Sequence, residues 1–421
     1  MATNSWLTAA RFGRALAQQI QPSAAQELMT IKQINDVIFR HVALQKSNEN
    51  SLCFDHLLSR FHADPLRSFP PSASASACII PLASQPEIRL HYVNKSNATR
   101  FGKILEDLDT FAVWLAYKHN QGPDVELGTP NHPPFHAVTA CVDKINLQNR
   151  AIRSDLDIVM NGMVTWVGRS SLEITMHLAQ KYDEDDYRDI LTARFVMVTL
   201  EPSGRKAVPN VPLQLETDED KKWFEKGENA KRARMAREEN SLFRAPPSEI
   251  ERTIIHDLFL KSRDLKGAHP TAPDGFEFMK NAQLENVVVC FPAKRNMYGK
   301  IFGGFLMRIA METAWGNAAI FSKSRPSILA VDSVVFQRPV EIGSILLFDS
   351  QVSYSTDNFM QLGVTAKVVD VESGDTETTN TFQFTFKSDK KVPQVMPQTY
   401  DEGISFLNAR RHFNSSSQGL Q

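Results

Sequence analysis

Two kinds of hydrophobic spacing alternate along this chain from Pro86 onward, and the whole series occurs twice. Leu172, Ile174, Met176 and Leu178 alternate with Glu173, Thr175 and His177; far downstream, Phe382, Phe384 and Phe386 alternate with Gln383 and Thr385. A period of two belongs to a strand with one buried face. The first series predicts a short strand near Ile88 to Tyr92, a helix from about Phe101 to Tyr117, and strands over Phe135 to Leu147, Ile158 to Trp166, Leu172 to Leu178 and Ala193 to Leu200. The second predicts a strand over Val287 to Phe291, a helix from Gly304, and strands over Ile328 to Phe336, Ile345 to Tyr354, Gln361 to Val371 and Thr379 to Phe386. That second helix is apolar through Phe321 except for Arg308, Glu312, Asn317 and a few small polar residues. A helix apolar on nearly all sides is expected to be buried.

Val142-Asp143-Lys144-Ile145 matches Val331-Asp332-Ser333-Val334 at a distance of roughly 190 residues, too long for a solenoid and right for a duplicated domain. An antiparallel sheet wrapped around a central helix hides that helix's apolar surface. The expected fold is α+β, two such units in tandem. Between them, Glu216 to Asn240 is dense in charge, with Thr217-Asp-Glu-Asp220 fitting a helix start, and Ser248-Glu-Ile-Glu251 is a capping box. Two connecting helices follow. The cluster Lys231, Arg232, Arg234 and Arg237 is interleaved with glutamate and reads as a solvated helix face rather than a phosphate site. The expected divisions are 1–26, an N-terminal extension 27–84, a first domain 85–203, a helical linker 204–275, a second domain 276–390 and a C-terminal segment 391–421. In the extension, a helix is expected around Ile31 to Leu44, and Pro70-Pro-Ser-Ala-Ser-Ala-Ser reads as a flexible stretch.

A chain of 421 residues has room for these units, and a net charge of −1 provides no basic field for nucleic acid. Cys53, Cys78, Cys141 and Cys290 lie far apart, as free thiols in a reducing compartment do. No apolar run reaches the ~18 to 20 residues that span a bilayer, so no stable membrane insertion is expected. The first acidic residue is Glu27; before it Arg11, Arg14 and Gln18 share one helical face while Trp6, Ala9, Phe12, Leu16, Ala17 and Ile20 share the other. That is the pattern of a mitochondrial presequence over 1–26.

Candidate chemistry gathers on the two helices. Gly303 and Gly304 open the second one, where unpaired backbone N–H groups and a partial positive charge can polarise a carbonyl. Glu312 stands two turns in, among apolar residues; it is either an ion-pair partner of Arg308, four residues before it, or a base that activates water. The first helix carries Glu106, Asp107 and Asp109 behind Gly102, and Asp109 lies deepest. His119, His132 and His136 surround a Pro-rich insertion, but Pro133-Pro134 argues against the helical spacing that presents a metal-binding pair. No metal or cofactor is expected. No Gly-x-Ser-x-Gly occurs, which weighs against a serine-nucleophile hydrolase.

Asn296-Met-Tyr-Gly299-Lys-Ile-Phe302-Gly303-Gly304-Phe-Leu-Met307 resembles the motif Asn-x-x-Gly-x-x-Phe/His-Gly-Gly-x-x-Met of the hot-dog acyl-coenzyme A thioesterases. Val331-Asp332-Ser-Val-Val-Phe336-Gln-Arg-Pro339-Val340-Glu-Ile-Gly343 is similar to the strand and turn that follow the family's helix. Arg100-Phe101-Gly102 to Asp109, and Arg411-His412-Phe413-Asn414-Ser415, resemble the mitochondrial thioesterase 9 type in particular. The resemblance implies a tandem hot-dog, a homo-oligomer (most simply a trimer) and a mitochondrial matrix location. It implies that Asn296 or Asn97 orients water or holds the carbonyl, that backbone N–H groups at Gly303, Gly304 or Gly102 stabilise the oxyanion, and that Arg169 and Ser170 contact coenzyme A. In two-copy relatives an asparagine of one domain works with a carboxylate of the other, which leaves two pairs open: Asn296 with Asp109, and Asn97 with Glu312. The chain departs from the pattern in its acids, since Met311 occupies the family position, Glu312 stands one residue after it, and Asp109 one residue before. The expected activity is hydrolysis of fatty acyl-CoA to free acid and coenzyme A. The alternatives are a non-catalytic acyl-CoA sensor and a hot-dog enoyl-CoA hydratase.

Overall fold

The computed structural model describes residues 28–48, 67–123, 126–127, 135–143, 145–147, 152–183, 186–201, 204, 206–263, 272–294 and 299–417. The expected presequence, Cys53, His132 and Asn296 lie outside the described residues. Two compact units divide the chain: the first takes Met1–Asn229 with Asn296–Phe305, the second Ala230–Arg295 with Leu306–Gln421.

In the first unit, α1 (Ile31–Asn48), α2 (Pro71–Ser74), β1 (Ser76–Ile80) and α3 (Pro86–Arg89) lead into the long helix α4 (Phe101–Gln121). Strands β2 (His136–Val142), β3 (Ile145–Leu147), β4 (Ile158–Val167), β5 (Ser171–Lys181) and β6 (Tyr187–Leu200) follow. The sheet runs β1-β4-β5-β6-β2, with β3 also paired to β6, and these pairings are antiparallel. Leu172, Ile174, Met176 and Leu178 are fully buried, as are Leu105, Leu108, Phe111, Ala112 and Leu115 of α4. Sheet and helix meet closely at Gly162, where a Cβ would come within 2.8 Å of Leu115 Cδ1.

Three local expectations give way here. Ile88 to Tyr92 is no strand: Pro86 starts a single helical turn there, its fixed φ suiting the first helical position. The first strand is instead Ser76–Ile80, which begins at the last residue of the stretch read as flexible, and Ser74 within that stretch holds to β4 by accepting the N–H of Val164 on Oγ at 2.9 Å. Helix α4 also runs past Tyr117 because its polar last turn finds buried partners: His119 Nε2 meets Val211 O at 2.8 Å, and Asn120 Nδ2 donates to Asn210 Oδ1 at 3.0 Å. Unpaired, such groups would oppose burial.

Helix α5 (Asp218–Glu239) carries the chain onward and opens with the expected cap, Thr217 Oγ1 accepting the N–H of Asp220 at 3.1 Å. Its Gly227 rests on Trp166, whose Cβ would lie 2.4 Å from an added methyl group, and Trp166 Nε1 donates to Glu228 at 2.7 Å. Elsewhere α5 is polar and largely exposed, as its charge pattern suggested.

The second unit contains α6 (Glu249–Arg263), β7 (Phe276–Phe278), β8 (Gln283–Val289) and most of α7 (Gly303–Ser322). β9 (Ser327–Phe336), β10 (Ile345–Thr356), β11 (Phe359–Val369) and β12 (Thr376–Lys387) complete an antiparallel sheet in the order β9-β12-β11-β10-β8. β13 (Gln394–Met396) pairs in parallel with β7, and α8 (Tyr400–Ser417) ends the unit. Phe348, Leu346, Phe382, Phe384 and Phe386 are fully buried in its core. Helix α7 is less enclosed than its apolarity implies, because Trp315 is 36% and Ile320 67% exposed. One sheet covers one side of a helix, and these residues lie on the side left over.

Helix α8 carries the end pattern Arg411 to Ser415 and ties the unit together. Arg411 donates to both carboxylate oxygens of Glu251, at 2.6 and 2.7 Å, while Glu251 caps α6 by accepting the N–H of Ser248 at 2.9 Å. The Arg411 guanidinium holds the Glu251 carboxyl down at about 2. Five residues further along α8, Ser416 Oγ donates to the buried Asp332, which also accepts from Gln361 and Thr385 at 2.9 and 2.8 Å. Among the described residues no helix is long and apolar enough to cross a membrane.

Candidate active site

Two glycines and one acid make up the candidate site. Gly304 sits where α7 begins, and a Cβ there would lie 2.9 Å from Glu106 O, 3.0 Å from Glu106 Cα and 2.6 Å from Phe302 Cε1. Only glycine lets these backbones approach so closely. The contact brings the Gly304 N–H to the carboxyl of Asp109, which accepts it. From β2, Thr139 Oγ1 donates to Asp109 Oδ1 at 2.5 Å, and the same hydroxyl lies 3.2 Å from Met197 Sδ.

Asp109 is 1% exposed. Burial pushes its pKa up to about 6; the bonds from Thr139 and Gly304 pull the other way, and Glu106 adds a smaller upward push. Among the described residues no cation pairs with it. Its neighbours are partnered: Lys103 Nζ lies 3.2 Å from Glu106 Oε2 and 2.8 Å from Asp107 Oδ1, and Tyr92 Oη donates to Asp107 Oδ2. Of the three acids on α4, Asp109 alone combines burial with freedom from a counter-charge, so it can exchange a proton near neutral pH.

The other predicted residues fall as follows. Glu312 lies on α7 with Arg308 Nη1 3.6 Å from its Oε2, and its side chain is 35% exposed. Gly102 is buried in the first turn of α4. Asn97 is exposed in a turn with φ 60; its N–H donates to Asn94 O at 2.9 Å and its carbonyl accepts from Ser154 Oγ at 2.7 Å. Asn94 Oδ1 braces that turn by accepting the N–H groups of Ser96 and Ala98. Arg169 is exposed in the β4–β5 hairpin, fixed by its carbonyl, which accepts the N–H of Asn210 at 2.8 Å; the Ser170 carbonyl accepts from Thr199 at 3.0 Å. Gly303 is half-buried at the first position of α7. His119 is buried, and desolvation lowers its pKa to about 4. Among the described residues no three His, Cys, Asp or Glu side chains gather as metal ligands do.

Thr139 and Tyr92 were missed in the sequence. A threonine on a strand carries no local signal of a buried acid beside it, and thirty positions separate Thr139 from Asp109.

Two long helices, each lying on antiparallel strands, make this a tandem hot-dog protein. No protein-family profile matches the chain. It is 37% identical over 414 residues to human mitochondrial acyl-coenzyme A thioesterase 9, covering 96% of this chain and 93% of that protein. Mouse mitochondrial acyl-coenzyme A thioesterase 10 is 38% identical over 367 residues, 86% of this chain and 82% of the mouse protein. The chain belongs to the family of mitochondrial acyl-CoA thioesterases 9 and 10. Among solved structures, an acyl-CoA hydrolase from Staphylococcus aureus with butyryl-CoA, coenzyme A and coenzyme A disulfide superimposes at a TM-score of 0.33 and 24% identity, over 34% of this chain and 92% of that one.

Proposed function

We propose that this protein hydrolyses acyl-CoA thioesters with Asp109 as the general base. The family carries the reaction class. The observation behind the residue is a buried carboxyl with a pKa of about 6, held by Thr139 and Gly304. Asp109 takes a proton from water as the water oxygen bonds to the thioester carbon, giving a tetrahedral oxyanion. Collapse breaks the C–S bond, and the proton on Asp109 passes to the coenzyme A thiolate. Acid and thiol leave, and the carboxylate is restored.

Because Asp109 occupies the Gly304 N–H, the oxyanion falls to the Gly303 N–H at the first position of α7, where no intrahelical partner exists. Asn296 is the partner that the sequence motif supplies for the water or the carbonyl. Arg169 and Ser170 take the phosphates of coenzyme A, an exposed guanidinium being suited to bidentate contact. We read Glu312 as the Arg308 partner and Asn97 as a turn residue.

A base must be ionised to act, so kcat/KM is expected to rise with pH through about 6 and level off above it. A pH profile of thiol release from acyl-CoA checks this, and a flat profile between pH 5 and 7 would contradict the assignment. The same assay separates hydrolysis from binding alone, and ultraviolet loss of an enoyl thioester would reveal hydration instead.

The mitochondrial relatives and the Arg-bearing, acid-free start support a mitochondrial protein, and we assign it to the matrix. Mass spectrometry of matrix protein should find a shortened N-terminus; an intact one on a cytosolic pool would sink the idea. Acyl-CoA is its substrate partner. We further propose homotrimers of the tandem unit, so light scattering at micromolar concentration should give three chains, and a monomer would contradict it.

A further inference from the structure

Arg169 and Ser170, the two residues read as coenzyme A contacts, form the tip of the β4–β5 hairpin, and Gly168 closes the turn beneath them by donating its N–H to Ser171 O at 2.8 Å. Both tip carbonyls are tied down. Ser170 O accepts the N–H of Thr199 at 3.0 Å and Arg169 O accepts the N–H of Asn210 at 2.8 Å, so one tether comes from the end of β6 and the other from the segment that follows it. The Arg169 side chain is exposed. The tip thus combines a fixed backbone with an accessible cation.

The tethers are locked in turn by side chains that the reaction above does not use. Thr199 Oγ1 donates to Asn210 Oδ1 at 2.6 Å, and the same Asn210 oxygen accepts from Asn120 Nδ2 at 3.0 Å. Asn120 Oδ1 accepts the N–H of Val211 at 3.0 Å while His119 Nε2 donates to Val211 O at 2.8 Å, so the last turn of α4 grips residue 211 by both its backbone groups. Asn120, Thr199 and Asn210 are all buried. Burying such groups opposes folding unless they are paired, and once paired they fix one arrangement of the backbone they hold. Here that backbone is the one that carries the hairpin tip.

We propose that Asn120, Thr199 and Asn210 are positioning residues for coenzyme A, holding the Arg169–Ser170 tip in the posture that meets the phosphates. This rests on the reading of Arg169 and Ser170 as the coenzyme A contacts. A tip that is already held loses less freedom when the phosphates bind, and the difference appears as affinity.

The test compares acyl-CoA with acyl-pantetheine of the same acyl chain, which carries the same thioester and none of the phosphates. Thr199→Val removes one hydroxyl, keeps the shape and keeps the backbone bond to Ser170. It should raise KM for acyl-CoA by roughly fivefold to tenfold with kcat little changed, and leave KM for acyl-pantetheine where it was. Thr199→Ser should restore the original KM. Asn120→Leu should act as Thr199→Val does, and neither should add much to the effect of Arg169→Ala, because the guanidinium they position is then gone. A role confined to folding would lower the melting temperature and treat the two substrates alike. An unchanged KM for acyl-CoA in Thr199→Val, or an equal rise with both substrates, overturns the proposal, and if Asn120→Leu fails to fold, Thr199→Val decides alone. Arg169→Ala keeps the two readings apart: an unchanged KM for acyl-CoA there removes the hairpin from coenzyme A binding and the proposal with it, whereas a raised KM there with Thr199→Val unmoved removes only the positioning role.

Discussion

Exchanging Asp109 for asparagine is expected to lower kcat by roughly 10² to 10⁴ while leaving the protein at least as stable as before. The two effects have one origin. In the unfolded chain an aspartate titrates near its ordinary value of 3.8, whereas in the folded protein burial raises it to about 6. Below the lower value both states hold the proton and no penalty exists. Between the two, the unfolded chain releases a proton that the folded one keeps, so stability falls as pH rises, and above the folded value it has lost about 3 kcal/mol. Asparagine has no charge to bury. Its Oδ1 can still accept from Gly304, and its Nδ2 can donate to Thr139, whose own proton then turns toward Met197 Sδ at 3.2 Å. Paired measurement of kcat and melting temperature at pH 7 checks this, with Glu312→Gln alongside, for which near-normal kcat is expected. Normal turnover in the Asp109 variant would mean that another group is the base.

Gly304→Ala is expected to cost activity and stability together. The added methyl group would meet Glu106 O at 2.9 Å and Glu106 Cα at 3.0 Å, and both belong to the backbone of α4, which cannot turn aside as a side chain would. The start of α7 must shift, at a cost of about 1–3 kcal/mol for overpacking. The N–H bond to Asp109 is then lost, and misplacement on that scale lowers kcat by roughly 10²-fold. Gly316→Ala in the same helix is the control, since its methyl would touch only Leu284 Cδ2 at an ordinary 3.4 Å, and alanine favours a helix by about 1 kcal/mol. Equal loss in both variants would show that helix α7, rather than the contact at Glu106, is what the Gly304 variant disturbs.

Much of this architecture was legible because period-two alternation survives wherever one face of a strand is buried, as in Leu172 to Leu178 and Phe382 to Phe386. The caps at Thr217 and Ser248 were legible for a similar reason: each is a local hydrogen-bond exchange between residues three apart. β1 was hidden because Ser76 and Ala77 continue a simple Ser/Ala run, and only pairing with β4 distinguishes them from it. The last turn of α4 was hidden because its polar residues are made acceptable by partners some ninety positions away. Asp109 stood out in the sequence as the deepest acid, but its separation from Asp107 depends on Tyr92 and Lys103, and its contact with Gly304 joins distant parts of the chain. Such contacts belong to packing and leave no periodic trace.

The strand contributed by Ser76–Ile80 also limits how far the N-terminus can be trimmed. Beyond β1 the sheet is bordered by Met29 and Thr30: Ile79 donates its N–H to Met29 O at 3.0 Å, and Thr30 bridges Ile79 in parallel. Immediately after them, Ile31, Ile34 and Ile38 bury the inner side of α1. A protease that stops at residue 26 or 27 leaves this border intact. One that cuts past Thr30 would uncover a strand edge with unpaired backbone groups, a template for association with other chains. A cut that removed residues 1–26 and one that exposed this edge would thus differ by only a few peptide bonds.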